Sequence, residues 1–309
     1  MKIIFMGTPE FSVNILKELY KYHDILAVVT KPDNPFLKST KNQSPVKKFA
    51  IENGIKIFQP IKLKEISTEL MKLNCDLYLT AAYGNFLPKI ILDHKPAINI
   101  HASLLPKYRG GSPIQYAIRN GDKTTGISII HMIKKMDAGN VIKMEKIKVD
   151  KYDTYTSLSI KLSNLASKMI IKLFEKFGTN LPSGVEQLKA DVTYAKNLTR
   201  DDEFLSFDQK YLEFDQQLRS LLDKPGGYFD FKNQVVKIFE IKKSDIISDV
   251  RPGTIISTKK NLTIKIKDSC IDILKIQLSG KKVMKIQDFL NGQSIFVKGD
   301  IIGDLKWKK

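Results

Sequence analysis

A chain of 309 residues, 42% of them hydrophobic, is long enough for two cores, and its two cysteines, Cys75 and Cys270, lie in different halves with neither disulfide nor metal spacing. The formal charge of +18 points to an anionic partner, and no apolar run approaches membrane-spanning length, so a cytoplasmic protein with no membrane partner is expected. Residues 1–178 hold 28 basic and 15 acidic side chains, and residues 205–309 hold 20 and 13. An excess in both parts suits a large polyanion better than a small anionic ligand, although a lysine-rich composition alone supplies the same surplus.

In chain order, short β-rich runs alternate with helical stretches, which predicts a mostly parallel, Rossmann-like α/β sheet with helices on both faces. The expected strands are Lys2 to Met6, Ile25 to Thr30, Ile55 to Phe58, Leu77 to Ala81, Ala97 to His101 and Gly126 to Met132. Phe11, Ile15, Leu16 and Leu19 recur at helical spacing, Ser44-Pro45 opens a second helix as N-cap and N1, and Gly54 closes it. The Gly7-Thr8-Pro9 turn lacks the G-x-G-x-x-G pattern and Pro9 removes a donor, which argues against a dinucleotide site. A long helix is predicted over Asp153 to Phe177 with Gly178 as its stop. Residues 179–204, with Pro182, Gly184 and no clear period, read as a linker. Beyond it, one helix over Gln209 to Leu222 and short runs at Tyr228 to Phe231, Val235 to Ile241, Gly253 to Ser257, Leu262 to Ile266 and Ile271 to Gln277 predict a small β-barrel. The expected organisation is therefore a first domain over 1–178, a linker over 179–204 and a barrel over 205–309.

Asn99 and His101 stand two apart on a predicted strand and so share one of its faces. Burying an amide and an imidazole together costs free energy unless each has a partner, so a satisfied core pair and a functional site at the strand's end both fit. The run S-L-L-P-K-Y-R-G-G-S-P-I-Q at 103–115 then leaves the strand through a turn that Gly110-Gly111 permits. With I-I-F-M-G-T-P-E-F at 3–11, V-V-T-K-P-D at 28–33, S-P-V-K at 44–47, A-A-Y-G-N-F-L-P at 81–88, M-D-A-G at 136–139, T-Y-A-K at 193–196 and G-K-K-V-M at 280–284, this chain resembles the folate-dependent formyltransferases. The S-L-L-P-x-x-R-G-x-x-P-I-Q match narrows the resemblance to the members that act on methionyl-tRNA.

The resemblance implies transfer of a formyl group from 10-formyltetrahydrofolate, the co-substrate, to the α-amine of methionyl initiator tRNA, with no metal and with an OB-like C-terminal barrel. Such a reaction needs donors aimed at a developing oxyanion and a group that manages protons. Asn99 would supply a donor, His101 would donate or accept, and Asp137 would orient the imidazole, either as a base toward the amine or as a charged stabiliser. Ser103, Leu104, Leu105 and Pro106 match the folate loop, and Tyr83 and Gly84 lie in the stretch that would form its opposite wall. Lys38 and Lys41, in a loop that is arginine-rich in many members, and Lys196 and Arg200 are the candidate tRNA contacts. His23, His94 and His131 are expected to be structural, and a monomer is expected. A formyltransferase acting on a small amine such as glycinamide ribonucleotide or an amino sugar nucleotide, and a noncatalytic RNA-binding relative, are the competing readings.

Overall fold

Ile3 to Gly7 are five consecutive buried residues of β1 (Lys2–Gly7), the continuous apolar pattern of a strand covered on both faces of a parallel sheet. In the computed structural model, which describes residues 1–33, 43–292 and 295–303, β1 lies between β2 (Asp24–Val29) and β4 (Leu77–Ala81), parallel to both. α1 (Glu10–Tyr22) crosses from β1 to β2, and α2 (Pro45–Glu52) precedes the short β3 (Ile57–Phe58). As the sequence predicts, the Ser44 hydroxyl accepts from the Lys47 N–H at 3.1 Å, Pro45 occupies the first turn, and Gly54 follows the helix at φ +64°. α3 (Ser67–Lys72) and α4 (Lys89–Leu92) flank β4, and β5 (Ala97–His101) is followed by α5 (Pro113–Arg119), β6 (Thr124–His131), β7 (Val141–Lys148) and α6 (Tyr155–Phe177).

The sheet order is β3-β2-β1-β4-β5-β6-β7. Its first five strands are parallel, whereas β5 to β6 and β6 to β7 are antiparallel pairs. The strand β7 is absent from the sequence-based expectation. It is a sheet edge reading V-I-K-M-E-K-I-K with most of its side chains partly or fully exposed, so it lacks the apolar signal of a covered strand, and charged edges of this kind resist further strand addition.

The chain forms two compact units. The first comprises residues 1–114, 123–149 and 157–197, and the second residues 115–122, 150–156 and 198–309. Residues 179–197 thus belong to the first unit, where Val185 bridges Val141 and Tyr194 bridges Arg109. In the second unit α7 (Tyr211–Leu221) precedes β8 (Gly227–Phe231), β9 (Gln234–Lys243), β10 (Ile255–Ser257), β11 (Leu262–Lys265) and β12 (Cys270–Leu278), then β13 (Met284–Lys285) and α8 (Ile286–Asn291). These strands pair antiparallel in the order β10-β11-β12-β9-β8, with β13 on β12, as a curled OB-like sheet. Its core gathers Leu205, Leu218, Val236, Ile264 and Ile273 around Phe207, Phe229 and Phe296. The Phe229 ring meets Phe207 edge-on at 5.3 Å between centroids and Phe296 at 6.5 Å.

Phe229→Ala removes a fully buried ring from this cluster, and the second unit should lose about 3–5 kcal/mol of stability. Urea unfolding followed by tyrosine and near-ultraviolet signals checks this, and a loss below about 1 kcal/mol contradicts the assigned core.

Candidate active site

The strand order reverses around β1, and in open α/β sheets ligands bind in the crevice beyond the carboxyl ends of strands at such a point. Gly7 pairs with Ala81 and Ala81 with Ile100, so the ends of β1, β4 and β5 lie side by side. A side chain at Gly7 would stand 2.7 Å from Ser12 Cβ and 2.8 Å from the Ala81 carbonyl, which the Ser12 hydroxyl itself donates to at 2.6 Å. Close packing between strand and helix explains this glycine without a phosphate.

The three side chains that the sequence marks as candidates, Asn99, His101 and Asp137, meet at this crevice. Asn99 Oδ1 accepts from the Thr80 hydroxyl at 2.7 Å, which fixes the amide with its Nδ2 toward Asp137 Oδ1 at 3.2 Å. Asp137 Oδ2 accepts the Gly110 N–H at 2.8 Å and lies 3.7 Å from His101 Nδ1. His101 Nε2 sits 2.8 Å from the Tyr108 carbonyl. A carbonyl only accepts, so Nε2 carries a proton and the neutral imidazole has its lone pair on Nδ1, facing the carboxylate. Both side chains are largely enclosed, at 6% exposure for His101 and 13% for Asp137, a setting in which charge interactions act with little screening.

The loop after β5 is anchored more firmly than its sequence suggests. Ser128 of β6, a residue that sequence reasoning missed, donates to the Ser103 carbonyl at 2.7 Å and accepts the Leu105 N–H at 3.0 Å. The Ser103 hydroxyl donates to the Lys107 carbonyl at 2.6 Å. Ser103 and Leu105 are buried and turned to these internal partners, whereas Leu104 and Pro106 are partly exposed. The ring of Tyr83 is buried in the core with Met6, Leu63, Leu70 and Ile91, so from the stretch 82–88 it is Ala82, Gly84, Asn85 and Phe86 that are exposed.

The M-D-A-G turn that carries Asp137 is held from outside the sheet. Asp137 has φ +47°, and a side chain at Gly139 would overlap the His131 carbonyl at 1.8 Å. Gln187 Nε2 donates to the Asp137 and Gly139 carbonyls, each at 2.8 Å, and its Oε1 accepts from Arg109 Nε at 3.0 Å and Nη2 at 2.8 Å. Thr193 and Ala195 run alongside the loop: Arg109 N–H donates to the Thr193 carbonyl and Ala195 N–H to the Arg109 carbonyl, both at 2.9 Å. T-Y-A-K was visible as a motif, but Gln187 sits in a stretch without periodicity and no local signal marks it.

Lys38 and Lys41 lie outside the described residues. At the near edge of that stretch, hydrogen bonds from Lys47 and from Gln59 hold the Asp33 carboxyl below the usual carboxylate range. Lys196 is exposed. The Arg200 guanidinium bonds Glu203 at 2.5 Å and stacks over the Tyr228 ring, 3.4 Å from its centroid, so it is already engaged. His131 Nε2 lies 2.7 Å from the Pro182 carbonyl, His94 Nδ1 bonds the Tyr78 hydroxyl at 2.9 Å, and His23 packs edge-on against Phe174. Among the described residues no group of three histidine, cysteine or carboxylate side chains could hold a metal, and no helix is long and apolar enough to cross a membrane.

The chain belongs to the formyl transferase family: the formyl transferase model matches residues 1–174 and the model of the family's C-terminal domain matches residues 197–294. Among its relatives are methionyl-tRNA formyltransferases. That of Ureaplasma parvum is 38% identical over 96% of this chain and 99% of its own, and that of Malacoplasma penetrans is 40% identical over 95% and 94%. The fold matches the methionyl-tRNA formyltransferase of Clostridium thermocellum at TM-score 0.58 and 19% identity, over 82% of this chain and 98% of that one. It also matches HypX of Aquifex aeolicus in complex with tetrahydrofolic acid at TM-score 0.67 and 13% identity, where this chain spans half the length of the larger protein.

Two substitutions test the geometry. Gly139→Ala forces the turn away from His131 and should cost about 1–3 kcal/mol together with most of the turnover. Tyr83→Phe, altering a ring in the core, should leave tetrahydrofolate affinity within about twofold as measured by calorimetry, and a large loss would put the phenol in the folate pocket.

Proposed function

We infer that this chain transfers the formyl group of 10-formyltetrahydrofolate to the α-amine of methionyl initiator tRNA. The observation that carries the reading is the assembled Asn99, His101 and Asp137 cluster at the crevice, on a chain similar along nearly its whole length to methionyl-tRNA formyltransferases. The exposed residues Ala82, Gly84, Asn85 and Phe86, two of which have positive φ, with partly exposed Leu104 and Pro106 beyond the neighbouring strand, supply a polar and an apolar wall for a flat heterocycle. Ser103 and Leu105 contribute by fixing the loop's shape through Ser128.

The hydrogen bonds support one proton path. The amine nitrogen forms its bond to the formyl carbon, and the proton it sheds is received at His101 Nδ1, the ring nitrogen that Tyr108 leaves unprotonated in the neutral imidazole. Asp137, facing that nitrogen, stabilises the imidazolium, and the proton passes on to the departing folate nitrogen. Thr80 turns the Asn99 amide so that one N–H meets Asp137 and the other serves the developing oxyanion. His101 is thus a base first and an acid second. The span of 3.7 Å between His101 Nδ1 and Asp137 is longer than a hydrogen bond, so the pair interacts by charge once Nδ1 has taken the proton.

In this reading the second unit binds tRNA, and on the first unit Lys196, Lys38 and Lys41 are further contacts. Catalysis belongs to the first unit, with residues 179–197 packed within it, and tRNA binding to the second, and action in the cytoplasm as a monomer completes the proposal.

His101→Ala should lower kcat by about 10² to 10⁴ with tRNA affinity nearly unchanged, and Asp137→Asn should lose a comparable amount. His131→Gln, which keeps a donor for the Pro182 carbonyl, should retain most activity. Purified protein given 10-formyltetrahydrofolate should formylate Met-tRNA. Formylation of glycinamide ribonucleotide or an amino sugar nucleotide in its place would assign the small-amine reading, and tRNA binding without turnover the noncatalytic one.

Log affinity for tRNA should fall linearly with log salt, and Lys38→Ala, Lys41→Ala and Lys196→Ala should each shallow the slope by somewhat under about 1. Arg200→Ala should shallow it less, because Glu203 and Tyr228 already engage that cation. Four unchanged slopes would make these charges ordinary solvated surface.

A further inference from the structure

Every hydrogen-bonding valence of the Gln187 side chain is used, two on the turn that carries Asp137 and two on Arg109. A primary amide has two N–H donors and two acceptor lone pairs. Here both donors go to the carbonyls of Asp137 and Gly139, and the oxygen takes two N–H groups of Arg109. Gln187 and Arg109 are 6% and 5% exposed, so water does not substitute for these partners. Asp137 holds a positive φ, a conformation that local preference does not secure and that the surroundings must impose. The contacts close a ring: the Arg109 side chain holds Gln187, Gln187 holds the Asp137 main chain, and the Asp137 carboxylate accepts from Gly110, the residue next to Arg109.

We propose that Gln187 is a positioning residue for formyl transfer, locking the turn 136–139 so that the Asp137 carboxylate faces His101 Nδ1. This rests on the reading of Asp137 and His101 as the proton-handling pair. Serine or asparagine could satisfy one carbonyl, but only an amide at this reach fixes both and is itself gripped by a fork of two guanidinium donors. The stretch after Gly178, which has no regular structure around Gln187, is in this account part of the catalytic apparatus.

Gln187→Glu separates the two halves of the interaction. A carboxylate still accepts from Arg109, yet it has no hydrogen for either carbonyl and sets oxygen against oxygen at the former 2.8 Å contacts. Gln187→Met removes the bonds to both carbonyls and those from Arg109 as well, without adding charge. For each variant, kcat and KM with Met-tRNA, the dissociation constant for tetrahydrofolate, and kcat in an Asp137→Asn background are measured. The expected result is a fall of roughly 10- to 100-fold in kcat. KM and folate affinity should stay within about threefold, and each Gln187 variant should add no more than about twofold to the loss already caused by Asp137→Asn.

Three outcomes overturn the proposal. If kcat stays within about twofold while Asp137→Asn is impaired, Gln187 does not position the turn and the catalytic pair stands. If the two losses multiply in the double variants, or if both single variants lose folate and tRNA binding, Gln187 serves folding and does not act through Asp137. If Asp137→Asn itself turns over normally, the pair is misassigned, a failure distinct from the first two.

Discussion

A single carboxylate sets the terms for the catalytic unit. Asp137 accepts hydrogen bonds from the Asn99 amide and the Gly110 N–H and faces His101 in a largely enclosed crevice. A charge so placed is tolerable only when donors surround it, and each donor comes from a different part of the fold: Asn99 from β5, Gly110 from the loop beyond it, and the turn's own anchor from residue 187. The parallel sheet, the glycines of 110–111 and the segment 185–195 are consistent with one another because they converge on this group. Gly110 itself approaches Ala195 so closely that a side chain would stand 2.4 Å from that carbonyl, which ties the loop's path to the same constraint.

Much of this was legible in the sequence, because it lies in strongly patterned elements. β1, β4 and β5 are buried apolar runs with glycine or polar punctuation, and the alternation of Asn99 and His101 places both on one face of the strand. The M-D-A-G and S-L-L-P matches located the turn and loop. What the sequence left out was long-range and polar. Ser128 lies in the middle of an apolar strand, and nothing local says that its hydroxyl anchors a loop 23 residues earlier. Gln187 reaches Asp137 across 50 residues from a stretch that composition describes as a linker. The strand β7 carries no apolar signal because all its side chains are partly or fully exposed, and of the two readings open for the Tyr83 ring, folate wall or core aromatic, the ring packs in the core.

Net charge carried less residue-level meaning than the totals suggested. A formal +18 is large, yet Lys47 is spent on Asp33, Arg119 on Asp202, Arg200 on Glu203 and Lys232 on Asp300. Exposed pairs of this kind contribute little to stability, but they remove cations from the set available to phosphate. Assigning a polyanion footprint therefore requires knowing which basic residues lack an internal partner, and Lys196 and Arg200, four residues apart in sequence, fall on opposite sides of that division.

The most direct test of the account is the ring protonation of His101, followed by ¹⁵N chemical shifts in histidine-labelled protein, with the signal assigned by its absence in His101→Ala. Because Nε2 faces a carbonyl and Nδ1 faces Asp137, the neutral imidazole should carry its proton on Nε2 and leave Nδ1 bare. A neutral imidazole protonated on Nδ1, with Nε2 bare, would contradict the assignment of Nδ1 as the nitrogen that receives the amine's proton.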